Sequence, residues 1–307
     1  MNRRAWSLFV LVSVLWGIPY LLIKVAIEDL SPGLVVAGRV LIAALVLVPF
    51  AARRGTLVAL RGRYGTVATI AVIHVVIPFL LITYGETHIT SSLTGLLIAI
   101  EPAAIALLML RREPLTRGRA AGLVVGFAGV GLLVGLDVSG DRLGLLGAGM
   151  VLLAALSYAV ATILVQRRAA GLPPEALAAG TTSVAAVLLA PVGLLTLPTA
   201  PVHALSWAAL IGLGLLCTAL AMLAFYELIG LAGSGRAGLV TYANPVVAVL
   251  LGVMLLNEPF GVPTAVGFAL VAAGCWLSTR RPRPGQEGRS VTVERMVPAG
   301  QAPANVR

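Results

Sequence analysis

Charged side chains are scarce in this 307-residue chain: 11% of residues are Asp, Glu, Lys or Arg, where soluble domains carry about a quarter. Acids are the scarcer sign, 12 against 22 Lys and Arg. The only two cysteines, Cys217 and Cys275, both fall inside apolar runs. They read as small buried hydrophobes, which excludes a disulfide framework or a cysteine-built metal centre. No phosphate-cradling glycine loop, no Walker motif and no metal-ligand cluster occurs, so no ATP-driven step, metal or cofactor is expected. No nucleophile stands with a base, so no catalytic residue is expected and the chain does not read as an enzyme. What the chain has is apolar surface: 59% hydrophobic residues and a mean hydropathy of +1.00. No soluble core hides that much, so the lipid bilayer is the expected solvent and the fold class is an all-α membrane protein. The net charge of +10 does not indicate nucleic acid, because the cations sit in twos between apolar runs and not on one polar face.

Ten apolar runs are long enough to span, roughly 6–26, 33–52, 66–86, 91–110, 119–136, 144–165, 175–197, 206–230, 236–256 and 262–279. The first follows Arg3 and Arg4 like a signal peptide, but no small-x-small site closes it, and it reads as an uncleaved span. Arg53, Arg54, Arg61 and Arg63, then Arg111, Arg112, Arg117 and Arg119, then Arg167 and Arg168, then Arg236, stand at alternate joints. The opposite joints carry Glu28, Asp29, Glu86, Asp137, Asp141 and Glu258. Nineteen of the 22 cations share one side, the exceptions being Lys24, Arg39 and Arg142. The positive-inside rule makes that side cytoplasmic, with both termini on it, in a plasma or inner membrane. The stretch from about Arg280 to Arg307, rich in Pro, Gly, Gln and Arg, reads as a disordered cytoplasmic tail.

Sliding the chain against itself by about 142 residues aligns its halves. Gly38, Ala43, Ala44 and Pro49 meet Gly180, Ala185, Ala186 and Pro191; Gly95, Leu96 and Pro102 meet Gly238, Leu239 and Pro245. Glu113-Pro114 meets Glu258-Pro259 after a two-residue offset. Prolines and glycines hold positional backbone roles, so their coincidence outweighs shared composition. Two repeats are read, 1–137 and 138–279, of five spans each. An odd number of spans inverts the second repeat relative to the first, an architecture in which two halves rock about a shared midplane site.

Trp16-Gly17 with Lys24, Gly38-Arg39, Glu101-Pro102, Glu113-Pro114, Ser157-Tyr158-Ala159, Asn244-Pro245 and Leu256-Asn257-Glu258-Pro259 give the chain a resemblance to the EamA-type drug/metabolite transporter superfamily. The resemblance covers Trp6 to about Ser278. It implies a ten-helix, two-repeat carrier of small metabolites or drugs, commonly outward, by a secondary mechanism. The Pro102 to Glu113 interval is two residues shorter than Pro245 to Glu258, a departure between the halves.

Ionisable groups at membrane depth are costly and mark cavities or partners. Glu101 lies about ten residues into its span, roughly 15 Å deep, near the midplane. Its counterpart is Asn244, and Pro102 and Pro245 behind them withhold donors from the carbonyls of Ile98 and Thr241. Lys24 and Arg39 either snorkel to the interface or turn inward, toward Glu86, Glu101 or an anionic substrate group. His74 is a proton relay or a buried, hydrogen-bonded histidine. Trp16, Tyr20, Tyr158 and Tyr242 line a pocket or pack helices. Glu86 and Glu227, near span ends, read as solvated carboxylates. Gly122, Gly126, Gly131 and Gly135 permit close helix contact, inside a monomer or across a homodimer. The expected partner is a small-molecule substrate; a non-transporting receptor or assembly subunit and an intramembrane enzyme are the competing readings.

Overall fold

A computed structural model describes residues 3–109, 117–137, 141–232 and 240–279. Among them the regular structure is helical throughout, with no strand. The successive rods are α1 (Arg3–Ala26), α2 (Pro32–Arg53), α3 (Tyr64–Gly85), α4 (Ser91–Leu108), α5 (Arg117–Asp137), α6 (Arg142–Arg168), α7 (Pro174–Leu195), α8 (Ala204–Ile229), α9 (Val240–Leu256) and α10 (Val262–Thr279). Eight of these are long and apolar enough to cross a membrane; the last two are shorter apolar helices. The surface agrees with lipid contact, since Leu195 is 86% and Val187 73% exposed. The glutamate-proline pair at 113–114, the arginines at 111, 112 and 236, the glycine-leucine pair at 238–239 and the tail from 280 lie outside the described residues, as does the side chain of Tyr242.

Local chemistry sets the helix ends and breaks. Ser31 caps α2, its Oγ accepting from Leu34 N at 3.2 Å, with Pro32 in the first turn where no donor is missed. Asp141 caps α6 through Leu143 N at 2.9 Å. α1 breaks at Ile18 before Pro19, and α4 breaks between Ile98 and Glu101 before Pro102. α9 runs on through Pro245. The two glutamate/asparagine-proline pairs therefore differ: the fourth rod is interrupted and its counterpart is not. α3 and α8 each widen into a π-helical stretch, Val72–Val76 and Leu215–Leu220, whose starts are 143 residues apart.

Small residues let the rods approach. A Cβ on Gly274 of α10 would lie 2.6 Å from the Gly122 carbonyl oxygen of α5, and one on Gly129 2.7 Å from Val271 N. Gly122, Gly126 and Gly129 thus serve packing within the chain, whereas Gly131 and Gly135 meet nothing within 4 Å. Gly85 of α3 and Gly147 of α6 touch backbone to backbone, and Gly193 of α7 faces Ala37 of α2. The main contacts repeat after a shift of five helices: α1 with α8 answers α6 with α3, α1 with α9 answers α6 with α4, and α2 with α8 answers α7 with α3. The pairs α2–α7, α4–α9 and α5–α10 map onto themselves.

Candidate substrate pathway

The interior polar groups gather where the two π-helical stretches face α2 and α6. Arg39 of α2 is 7% exposed and turned inward. Its Nε donates to Thr218 Oγ1 at 2.8 Å, and its guanidinium carbon lies 4.0 Å from the centre of the Phe79 ring on α3. Thr218 belongs to the π-helical stretch of α8, and its own hydroxyl donates to Leu213 O at 2.8 Å, which leaves a lone pair for the arginine. Among the described residues no carboxylate forms an ion pair with Arg39. A buried guanidinium held by one neutral hydroxyl and a ring face retains charge for an incoming anion.

The other bulge carries His74, whose ring meets that of Tyr158 edge-on at 5.6 Å and 87°. The neighbouring Ser157 hydroxyl donates to Ile73 O at 2.5 Å, taking up a carbonyl within the π turn. Tyr20 is buried beside Gly95, and Tyr158 is half-buried on α6. Glu101 opens the second half of α4, and its Oε1 accepts from Thr162 Oγ1 of α6 at 3.2 Å. Asn244, with its amide nitrogen toward the carbonyls, donates to Val240 O at 2.9 Å and to Ser13 O of α1 at 3.2 Å. Glu101 and Asn244 thus reach α6 and α1 respectively, and no contact joins them to each other among the described residues. Pro102 is half-buried in the first turn of its helix segment, and Pro245 is buried inside α9.

Two further candidates lie elsewhere. Trp16 stacks on Phe225 of α8, ring centres 4.6 Å apart, in the apolar seam with Val12 and Leu228. Lys24 turns to the end of α3, where its Nζ donates to Glu86 O at 2.6 Å and Ile89 O at 2.8 Å.

A model of the EamA-like transporter family matches this chain twice, over residues 4–135 and 145–280. The chain belongs to the EamA-like transporter family. Over nearly its whole length this EamA-like transporter is similar to the uncharacterized transporter YvbV of Bacillus subtilis, 23% identical across 91% of this chain and 93% of that one. An uncharacterized transporter of Archaeoglobus fulgidus is 23% identical over 92% and 99% of the two chains. A probable amino-acid metabolite efflux pump of Salmonella typhimurium is 29% identical over 53% and 54%. One solved crystal structure shares the fold, with a TM-score of 0.66 at 22% identity over 91% of this chain and 97% of the other. The chain is therefore a multi-pass membrane transporter of this family.

Two acids of this EamA-like chain differ from their expected surroundings or went unremarked. Glu86, read above as solvated, is fully buried, because Lys24 and the connection after α9 cover the end of α3; neither carboxylate oxygen has a hydrogen-bond partner among the described residues. Glu258 accepts from the backbone N–H groups of Ser91 at 2.7 Å and Ser92 at 2.8 Å, holding the first turn of α4. Asn257 before it takes the left-handed conformation, φ 53°, that turns the chain back toward α4. Glu227 behaves as a span-end acid, half exposed and paired with Arg4. On the connection after α1, the Asp29 carboxyl is held below its usual range by the Ser206 hydroxyl (2.6 Å) and by His203, whose backbone N–H donates at 3.1 Å.

Proposed function

We propose that this transporter is a secondary carrier that exports small organic solutes bearing an anionic group, by alternating access between two inverted five-helix repeats, residues 1–137 and 138–279. Arg39 carries the reading: a buried guanidinium with no carboxylate partner among the described residues is a docking point for a substrate carboxylate or similar anion. Tyr20, Tyr158 and His74 supply the flat faces and donors around the rest of the solute. Glu101, held by Thr162 alone, is the group that exchanges a proton or substrate contact as the halves rock, and Asn244 is its uncharged counterpart against α1. The repeated helix contacts and the paired π-helical stretches support the two-repeat arrangement of ten spans; the arginine-bearing joints favour cytoplasmic termini, in the plasma or inner membrane, as a monomer or homodimer. The efflux name of the Salmonella typhimurium relative supports the outward direction.

The test is metabolite profiling of spent medium from cells overexpressing the wild-type chain or Arg39→Gln at equal membrane abundance. Wild-type cells accumulate anionic solutes outside and the variant does not. Identical profiles from both, or accumulation confined to cations, overturn the reading.

A further inference from the structure

At the outer ends of the helices a second polar cluster gathers around the end of α3. Glu86 closes α3 and is completely buried, with neither Oε1 nor Oε2 hydrogen bonded among the described residues. The hydroxyls of Ser91 and Ser92, five and six residues further on, are also buried without hydrogen-bond partners among the described residues. Gly252 of α9 makes the room: a Cβ on it would run into Glu258 Oε2 and the Ser92 hydroxyl. The charged groups facing Glu86 come from three elements: Lys24 of α1, Glu258 from the connection after α9, and Arg39 of α2. Beside it on α3, Gly85 packs against Gly147 and Val151 of α6.

The charges do not balance locally. Lys24 turns its ammonium to the carbonyls of Glu86 and Ile89 and forms no ion pair with the Glu86 carboxylate. Glu258 has two backbone N–H donors at a helix N-terminus. Glu86 has no hydrogen-bond donor among the described residues, so an anion there lacks the contacts Glu258 has, whereas a neutral acid is tolerated. A proton source is adjacent: a cavity of about 230 Å³ lined by Lys24, His88 and Asp141, with Thr87, Thr90 and Leu93, touches the same lysine from the outer loops.

We propose that Glu86 is the proton-carrying carboxyl of the outer gate, neutral while Lys24 and the Glu258 connection cover it and ionised when they part. On closing, the carboxylate takes a proton from hydronium in the outer cavity and releases water; on opening it returns the proton to water. Its use in transport rests on the alternating-access reading above, but the protonation itself does not require a transported solute.

Infrared difference spectroscopy of the reconstituted full chain tests this, comparing wild type, Glu86→Gln and Glu101→Gln. Wild type shows a protonated carboxyl C=O band that Glu101→Gln retains and Glu86→Gln loses; Glu86→Asp moves the band, which keeps the assignment readable if the glutamine variant does not fold. A band untouched by Glu86→Gln and Glu86→Asp overturns the proposal. A cysteine at Leu93, labelled by a membrane-impermeant maleimide, reports the gate: alkaline pH raises labelling in the Glu86 background and not with Glu86→Gln. Labelling that follows sodium at fixed pH, and not pH, also overturns it and assigns a metal cation instead. Vesicles that move no anion while band and gate respond to pH refute the transport reading alone.

Discussion

In the first half of the chain Lys24, Arg39, His74, Glu86 and Glu101 put ionisable groups inside the helices or at their covered ends. At the corresponding places the second half has Gln166, Thr181, Cys217, Ile229 and Asn244. The helix contacts nonetheless repeat, and in the fifth rod of each half Gly122 and Gly129 answer Gly267 and Gly274. Packing and chemistry have separated: small residues keep both halves alike, while of the buried charged residues described Arg39 and Glu86 lie in the first half and Glu258 in the second. On the reading proposed above, the first half carries most of the solute and proton contacts and the second supplies Thr218 and Asn244 to them.

The strongest challenge to the shared scaffold is steric. Gly274→Val drives a side chain into Gly126 and the Gly122 carbonyl, and costs about 3 kcal/mol in denaturant unfolding of the detergent-solubilised protein. The division of charge is tested next. Arg39→Gln lowers solute export about tenfold to a hundredfold, the loss of a charge-assisted contact, and Thr181→Arg in the other half does not restore it. Export rates at equal expression decide this, and rescue by Thr181→Arg would mean that the halves are interchangeable.

Smaller effects sharpen the outer ends. Glu258→Ala removes both acceptors from the start of α4 and costs about 1 kcal/mol of thermal stability, with Glu258→Gln losing less. Asp29, whose folded carboxyl is held low by Ser206 and His203, stabilises the fold above the ordinary carboxylate range and ceases to as pH falls through its lower folded value. Thermal scans therefore show stability lost in acid, below about pH 4, and His203→Ala flattens that slope. The smallest effect is at Gly131, where alanine changes stability by less than about 0.5 kcal/mol because nothing lies within 4 Å.

Much of the helical layout was legible, for the physical reason that a run of apolar residues between arginine-bearing joints has few alternatives in lipid. The interval 33–52 became Pro32–Arg53, and 144–165 lies within Arg142–Arg168. Side-chain partners were less legible. Nothing near Glu86 in sequence says that Lys24 and the chain around Glu258 will cover it, and the Glu258 contact to Ser91 joins residues 167 apart. Trp16 had the look of a pocket residue, but only the approach of α8 puts Phe225 against it. The two proline pairs read alike, yet Pro102 begins a helix segment and Pro245 sits inside one.

The paired π turns bear on history. A π turn holds one residue more than an α-helix needs to cover the same rise, so each is the trace of an insertion. Val72–Val76 and Leu215–Leu220 occupy matching rods at matching depth, in a chain that the family model matches twice. The backbone bulge is thus common to the two matched halves while the side chains around it are not: the first carries His74, and the second the Thr218 that holds Arg39.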